Sequence, residues 1–203
     1  PYYDMLRLLQ RKYSLVDSHA ENHFFPSVQD YVNTGDAVRN LVMLSNPCNP
    51  TGVTRSGNEL KALVEKASYG SFGLLIDEAY ELFHEPPGSA LSYIEDINHS
   101  NLFISGAATK GLQAPGIRIG WVVAAKRYIE ILGNFSSFGM GGVSRPSQLY
   151  ALALLQRERT DLIHKALPEF YGGQRQRYGD AFADLGLDLF SGDGGFYHWC
   201  RLP

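Results

Sequence analysis

The sequence predicts an α/β fold organised around a mainly parallel sheet. Four short apolar runs, at residues 41–44, 74–76, 102–104 and 119–123, are continuous rather than alternating, the pattern of strands covered on both faces. Between the first two, Leu60, Leu63, Val64 and Ala67 recur at helical spacing, and strand, helix, strand in that order is a βαβ unit.

The elements follow in order along the chain. Ser56 and Glu59 stand as a capping-box pair ahead of the first clear helix and mark its start. Beyond residue 123 the chain changes character. Leu149, Leu152, Ala153 and Gln156 continue a helix begun near Ser147, and a second helical stretch runs from about 160 to 185 with no strand between them. Gly186, Gly192, Gly194 and Gly195 then mark turns before an alternating run at 196–202, which reads as an antiparallel strand. The expected division is a large domain over 1–160 and the start of a smaller α+β domain over 161–203.

Composition narrows the class. Apolar residues make up 44% and charged residues 19%, ordinary for a soluble globular chain. A net charge of −3 without any Lys/Arg stripe argues against a nucleic-acid partner. No apolar stretch approaches the about 18 residues that span a bilayer. Cys48 and Cys200 are far apart, so no disulfide framework is expected and a reducing compartment fits. The first residue is Pro1, and no signal-peptide pattern follows it.

Three clusters of chemically capable residues sit just past the predicted strands, where open parallel sheets place their ligands. They are Ser45-Asn46-Pro47-Cys48-Asn49-Pro50-Thr51-Gly52, then Ile76-Asp77-Glu78-Ala79-Tyr80, then the stretch from Ser105 through Thr109-Lys110 to Gly116-Ile117-Arg118-Ile119-Gly120. Taken singly they are weak signals, since Asn-Pro turns and Asp-Glu pairs are common on loops. His19 and His23 bracket a Glu but sit among Asp17, Asn22 and Pro26, a turn rather than a zinc-binding helix, so no metal site is expected. No dinucleotide fingerprint occurs, and a nicotinamide enzyme is not indicated.

In this order and spacing the sequence resembles the class I/II aminotransferases, the fold-type I pyridoxal 5′-phosphate (PLP) enzymes. The Asn-Pro-x-Asn-Pro-Thr-Gly segment, the Asp-Glu-x-Tyr step and a lysine eight residues before the arginine of Gly-x-Arg-x-Gly carry the likeness, which runs from Pro1-Tyr2-Tyr3 to Gly195-Phe196-Tyr197-His198-Trp199. The resemblance implies a three-layer α/β/α large domain with a mostly parallel sheet. It also implies a homodimer, a cytoplasmic setting, and transfer of an amino group between an amino acid and a 2-oxo acid.

Site roles follow from the same resemblance. Lys110 is the implied Schiff-base lysine and proton shuttle, a task that suits an amine whose proton affinity falls on desolvation. Asp77 is implied against the pyridine nitrogen, where a carboxylate keeps the ring protonated and the cofactor an electron sink. Arg118 is implied on the phosphate, which its planar fork matches, with Thr109 adding a hydroxyl. Asn49 and Tyr80 are implied on the phenolic oxygen, and Tyr3 on the ring face, where stacking adds about 1 kcal/mol. Small residues at 106, 107, 108 and 111 suggest close approach of backbone to cofactor.

The sequence also departs from the pattern. Ala107 stands where the family often has a phosphate-binding hydroxyl residue, three before the lysine. The family's glycine-rich phosphate loop has no match upstream, and its substrate-carboxylate arginine would fall beyond Pro203. The chain thus reads as the middle of an enzyme, with exposed strand edges when isolated. These motifs fix a cofactor rather than a reaction, so a lyase, cyclase or amino-acid synthase, or a non-catalytic PLP-binding regulatory module, are the alternatives. The aromatic residues Phe196, Tyr197 and Trp199 read as sheet packing of the second domain.

Overall fold

The structure is a computed structural model that describes residues 2–32, 40–70 and 72–203; Pro1, at the head of the resembling segment, lies outside them. Its centre is a four-stranded sheet in the order β1-β2-β3-β4, formed by β1 (Leu41–Ser45), β2 (Gly73–Asp77), β3 (Leu102–Ala107) and β4 (Gly120–Ala124). β1, β2 and β3 are parallel, while β4 runs antiparallel to β3. The reversal has a simple cause. The β3–β4 connection contains turns and one 3₁₀ turn at Pro115–Ile117 but no crossover helix, and a short connection can only return the chain antiparallel.

Helix α1 spans Tyr2–Leu8, α2 Val28–Val32 and α3 Gly57–Tyr69. Leu60, Leu63, Val64 and Ala67 of α3 are completely buried against Leu74, Ile76, Leu102 and Ile104 of β2 and β3, and each large side chain so covered contributes about 1.5–3 kcal/mol. The strands are not covered equally on both faces, as their continuous apolar runs suggested. In β2 burial alternates, with Leu74 and Ile76 buried and Gly73, Leu75 and Asp77 half-buried, and the half-buried face is the one that carries Asp77. The capping box also differs from expectation. Ser56 has extended backbone at the N-cap, but its side chain makes no cap bond. Glu59 lies instead 3.8 Å from Arg55.

Helix α4 (Lys126–Met140) has no counterpart in the sequence reading; Gly133 and Gly139 lie within it, and glycine weakens a helical signal. Helix α5 spans Arg145–Leu154, begun by the Ser144 hydroxyl accepting from the Ser147 N–H. Helix α6 runs unbroken from Arg157 to Asp184 with Pro168 inside it, so residue 160, the expected domain boundary, falls within a continuous helix. Of the alternating run at 196–202, only β6 (Cys200–Arg201) is strand, pairing antiparallel with β5 (Asp188–Leu189). A second apolar cluster joins Tyr80 and Phe83 after β2, Leu167 of α6, and Tyr197. No helix among the described residues is long and apolar enough to cross a membrane.

Candidate active site

Register brings the three motifs to one level. Ser45 pairs with Asp77 and Asp77 with Ser105, so the loops that follow the three parallel strands leave the same edge of the sheet together. Beside this edge opens a cavity of about 1440 Å³ whose walls include Tyr2, Tyr3, Asn49, Asp77 and Tyr80.

The Asn-Pro loop is built from its base outward. Buried Asn46 accepts the Arg55 N–H at 2.7 Å on Oδ1 and donates from Nδ2 to the Arg55 carbonyl at 2.9 Å, a reciprocal pair that closes the loop. The Cys48 N–H donates to the Val53 carbonyl and the Gly52 N–H to the Cys48 carbonyl, at 2.8 and 2.7 Å. Asn49 is held at the loop tip by its own N–H on Ser45 Oγ, 3.0 Å away, with its side chain on the cavity wall.

Asp77 receives the Tyr2 hydroxyl on Oδ2 at 2.7 Å and the Ala79 N–H on Oδ1 at 3.1 Å. Burial first, then the bond to Asp77, hold the Tyr2 proton more tightly than in a free phenol. Tyr3, the residue implied at the ring face, also lines the cavity but is 45% exposed, with its ring 6.5 Å from that of Tyr13. The direct contact to Asp77 is thus made by Tyr2, which the sequence reading left without a role.

Tyr80 is 5% exposed and its hydroxyl meets that of Tyr197. Lys110 Nζ lies 5.6 Å from the Tyr80 ring centroid and 5.3 Å from that of Phe196. Lys110, Thr109 and Arg118 are not among the described residues that wall the cavity. Thr109 and Lys110 are half-buried in the turn after β3. Arg118 is exposed; its Nη1 donates to the Pro115 carbonyl at 3.0 Å, and its backbone is left-handed at φ 51°, a conformation that costs a non-glycine residue energy and tends to mark functional loops.

The small residues near Lys110 answer to protein neighbours. A Cβ on Gly106 would lie 2.3 Å from Trp121 Nε1, one on Gly111 would lie 2.7 Å from Leu82, and one on Gly120 would lie 2.8 Å from the Gly106 carbonyl. Phe196 and Tyr197 likewise differ from the sheet-packing expectation: both pack against Tyr80, at ring distances of 5.6 and 5.4 Å. The glycines before them supply the reach. The Gly192 N–H donates to the Thr51 carbonyl and the Gly194 N–H to the Gly52 carbonyl, both at 2.8 Å, locking the C-terminal segment onto the Asn-Pro loop. Arg175 of α6 donates to the Gly195 carbonyl. No sequence pattern announced this docking, because glycines also mark ordinary turns.

Glu78 and Glu81 flank Tyr80 in the chain. Burial raises both carboxyls, Glu78 to about 8, even though Glu78 accepts the Ser89 hydroxyl and the Ala90 N–H, each at 2.7 Å. The segment His19–His23 forms a single 3₁₀ turn at Ala20–Asn22.

Against this geometry the family model for aminotransferase class I and II matches residues 1–203. The chain belongs to that family. LL-diaminopimelate aminotransferase of Arabidopsis thaliana chloroplasts is 27% identical over 90% of this chain and 40% of its own length. The corresponding Protochlamydia amoebophila protein is 26% identical over 90% of this chain and 45% of its own. The chain therefore spans less than half the length of these relatives. Among solved structures, a double mutant of Thermus thermophilus aspartate aminotransferase superposes with a TM-score of 0.86 at 23% identity, covering 98% of this chain and 52% of that one. This establishes the family's α/β/α fold for the chain.

Proposed function

We propose that this chain contributes the cofactor-binding centre of a PLP-dependent aminotransferase that moves an amino group between an amino acid and a 2-oxo acid. The observation that carries the reading is the shared register of Ser45, Asp77 and Ser105, which brings three motif loops off one edge of the sheet, the first two onto the wall of one cavity. The donor set fits PLP: a carboxylate suited to the ring nitrogen, an amine suited to the aldehyde carbon, and an amide and a phenol suited to the phenolic oxygen stand on those loops. Bound there, PLP supplies an electron sink for the substrate α-carbon.

Lys110 would be the covalent attachment point and would carry the proton to and from the substrate carbon. Asp77 would hold a proton on the ring nitrogen, and the Tyr2 hydroxyl and Ala79 N–H keep its carboxylate oriented. Asn49 and Tyr80 would hydrogen-bond the phenolic oxygen, Tyr3 would cover the ring face, and Arg118 with Thr109 would hold the phosphate. The division of the chain near residue 160, a homodimer and a cytoplasmic setting belong to the same proposal; they rest on family resemblance and, for the compartment, on the two free cysteines.

The full-length protein mixed with PLP should develop a near-visible absorbance band that Lys110→Ala abolishes. Addition of an amino-acid donor should convert the cofactor to pyridoxamine phosphate with release of a 2-oxo acid. Ammonia release, or loss of a β-substituent, would place the chemistry with the lyases instead. No band at saturating PLP would overturn the proposal.

A further inference from the structure

We propose that Tyr197 is a positioning residue of this site, fixing the direction in which the Tyr80 hydroxyl points its proton. Tyr197 lies 117 residues beyond Tyr80, yet the two hydroxyls meet, and the ring centroids stand 5.4 Å apart at 62°. The approach is held from several sides. Gly192 and Gly194 bond to the Asn-Pro loop, Arg175 donates to the Gly195 carbonyl, and the Phe196 ring packs on both Tyr80 and Phe83.

A phenol has one proton and two lone pairs. Tyr80 is on the wall of the 1440 Å³ cavity and Tyr197 is not, so Tyr80 is the member of the pair able to serve a ligand there. When Tyr197 donates to the Tyr80 oxygen, the Tyr80 proton is left for an acceptor in the cavity, and the two bonds polarise one another in the same sense. Burial, then the bond to Tyr80, keep the proton on Tyr197, although Lys110 opposes them. The other ionisable or charged groups about the cluster are Glu78 and Glu81 on either side of Tyr80 in the chain, Lys110 after β3, Tyr171 and Arg175 on α6, and Asp77 at the end of β2.

The inference rests on the PLP reading for the identity of the acceptor, the phenolic oxygen. A donated proton favours the ionised form of that oxygen, so losing Tyr197 weakens the donation and makes the cofactor site harder to deprotonate. The test is a spectrophotometric pH titration of the near-visible band in full-length, PLP-loaded protein. Tyr197→Phe should raise the midpoint by roughly half a pH unit. Tyr80→Phe should raise it at least as far, and the double variant should go no further than Tyr80→Phe alone, since Tyr197 acts only through Tyr80.

Tyr197→Phe retains the ring and its packing, and thermal denaturation checks that the fold is kept. A band that forms and depends on Lys110, with an unchanged or lowered midpoint in Tyr197→Phe, overturns the inference and leaves the cofactor reading standing. Additive shifts in the double variant overturn it as well. Absence of the band from the unsubstituted protein overturns both readings.

Discussion

Asp77 shows how much a single side chain depends on neighbours far along the chain. Its two oxygens are claimed from opposite directions, by Ala79 in its own loop and by Tyr2, 75 residues earlier. Tyr2→Phe should remove the bond from a half-buried carboxylate at a cost of about 1–3 kcal/mol, read as a lowered urea midpoint; no change would mean that solvent fully replaces the phenol. The sequence made Asp77 conspicuous, because an Asp directly after a buried strand is a recognisable position. It could not choose between Tyr2 and Tyr3. Neighbours on a helix differ by about 100° in direction, and a seven-residue helix with no buried residue offers no periodicity from which to read its phase. The Tyr80–Tyr197 contact was hidden for a different reason, since it depends on how a segment beyond α6 folds back.

At the scale of elements, loops rather than strands carried the surprises. The parallel strands and α3 were readable because apolar runs and helical spacing are local signals. The direction of β4 depends on what the β3–β4 connection lacks, and the expected capping box gave way to an Arg55–Glu59 pair. The Glu78–Glu81 pair makes one element sensitive to pH. A carboxyl whose folded pKa lies above its unfolded value binds more protons folded than unfolded, so its contribution is complete below the unfolded value and is lost as pH rises. Stability should therefore fall as pH rises from the ordinary 4.5 to about 8. Glu78→Gln should flatten this slope in urea titrations across that window, and an unaltered slope would assign the dependence to other groups. The glycine docking is equally specific. A Cβ on Gly192 would sit 2.3 Å from the Gly52 carbonyl oxygen, so Gly192→Ala should destabilise by about 1–3 kcal/mol and shift the Phe196–Tyr197 segment, detectable as altered aromatic circular dichroism.

Among the described residues, the larger apolar cluster is well covered and many large apolar side chains are exposed. Leu63, completely buried at the centre of α3, should cost about 2–5 kcal/mol when cut to alanine, measured by chemical denaturation of the full-length protein. Ile131, Phe135 and Phe138 of α4 are largely exposed, in a chain that spans less than half of its relatives' length. The fold class was legible because the βαβ pattern is written locally. The division expected near residue 160 falls inside α6, which runs through that point as one helix. The contact between the Asn-Pro loop and residues 192–194 has a further consequence, for how the protein can change by mutation. A clash between two side chains can be relieved by trimming either one. Here the atoms that block a new Cβ at Gly52 or Gly192 are backbone, and backbone cannot be trimmed by substitution. Second-site suppressors of Gly52→Ala or Gly192→Ala should therefore be scarce among point substitutions, and those recovered should be insertions or deletions that re-space one of the two loops.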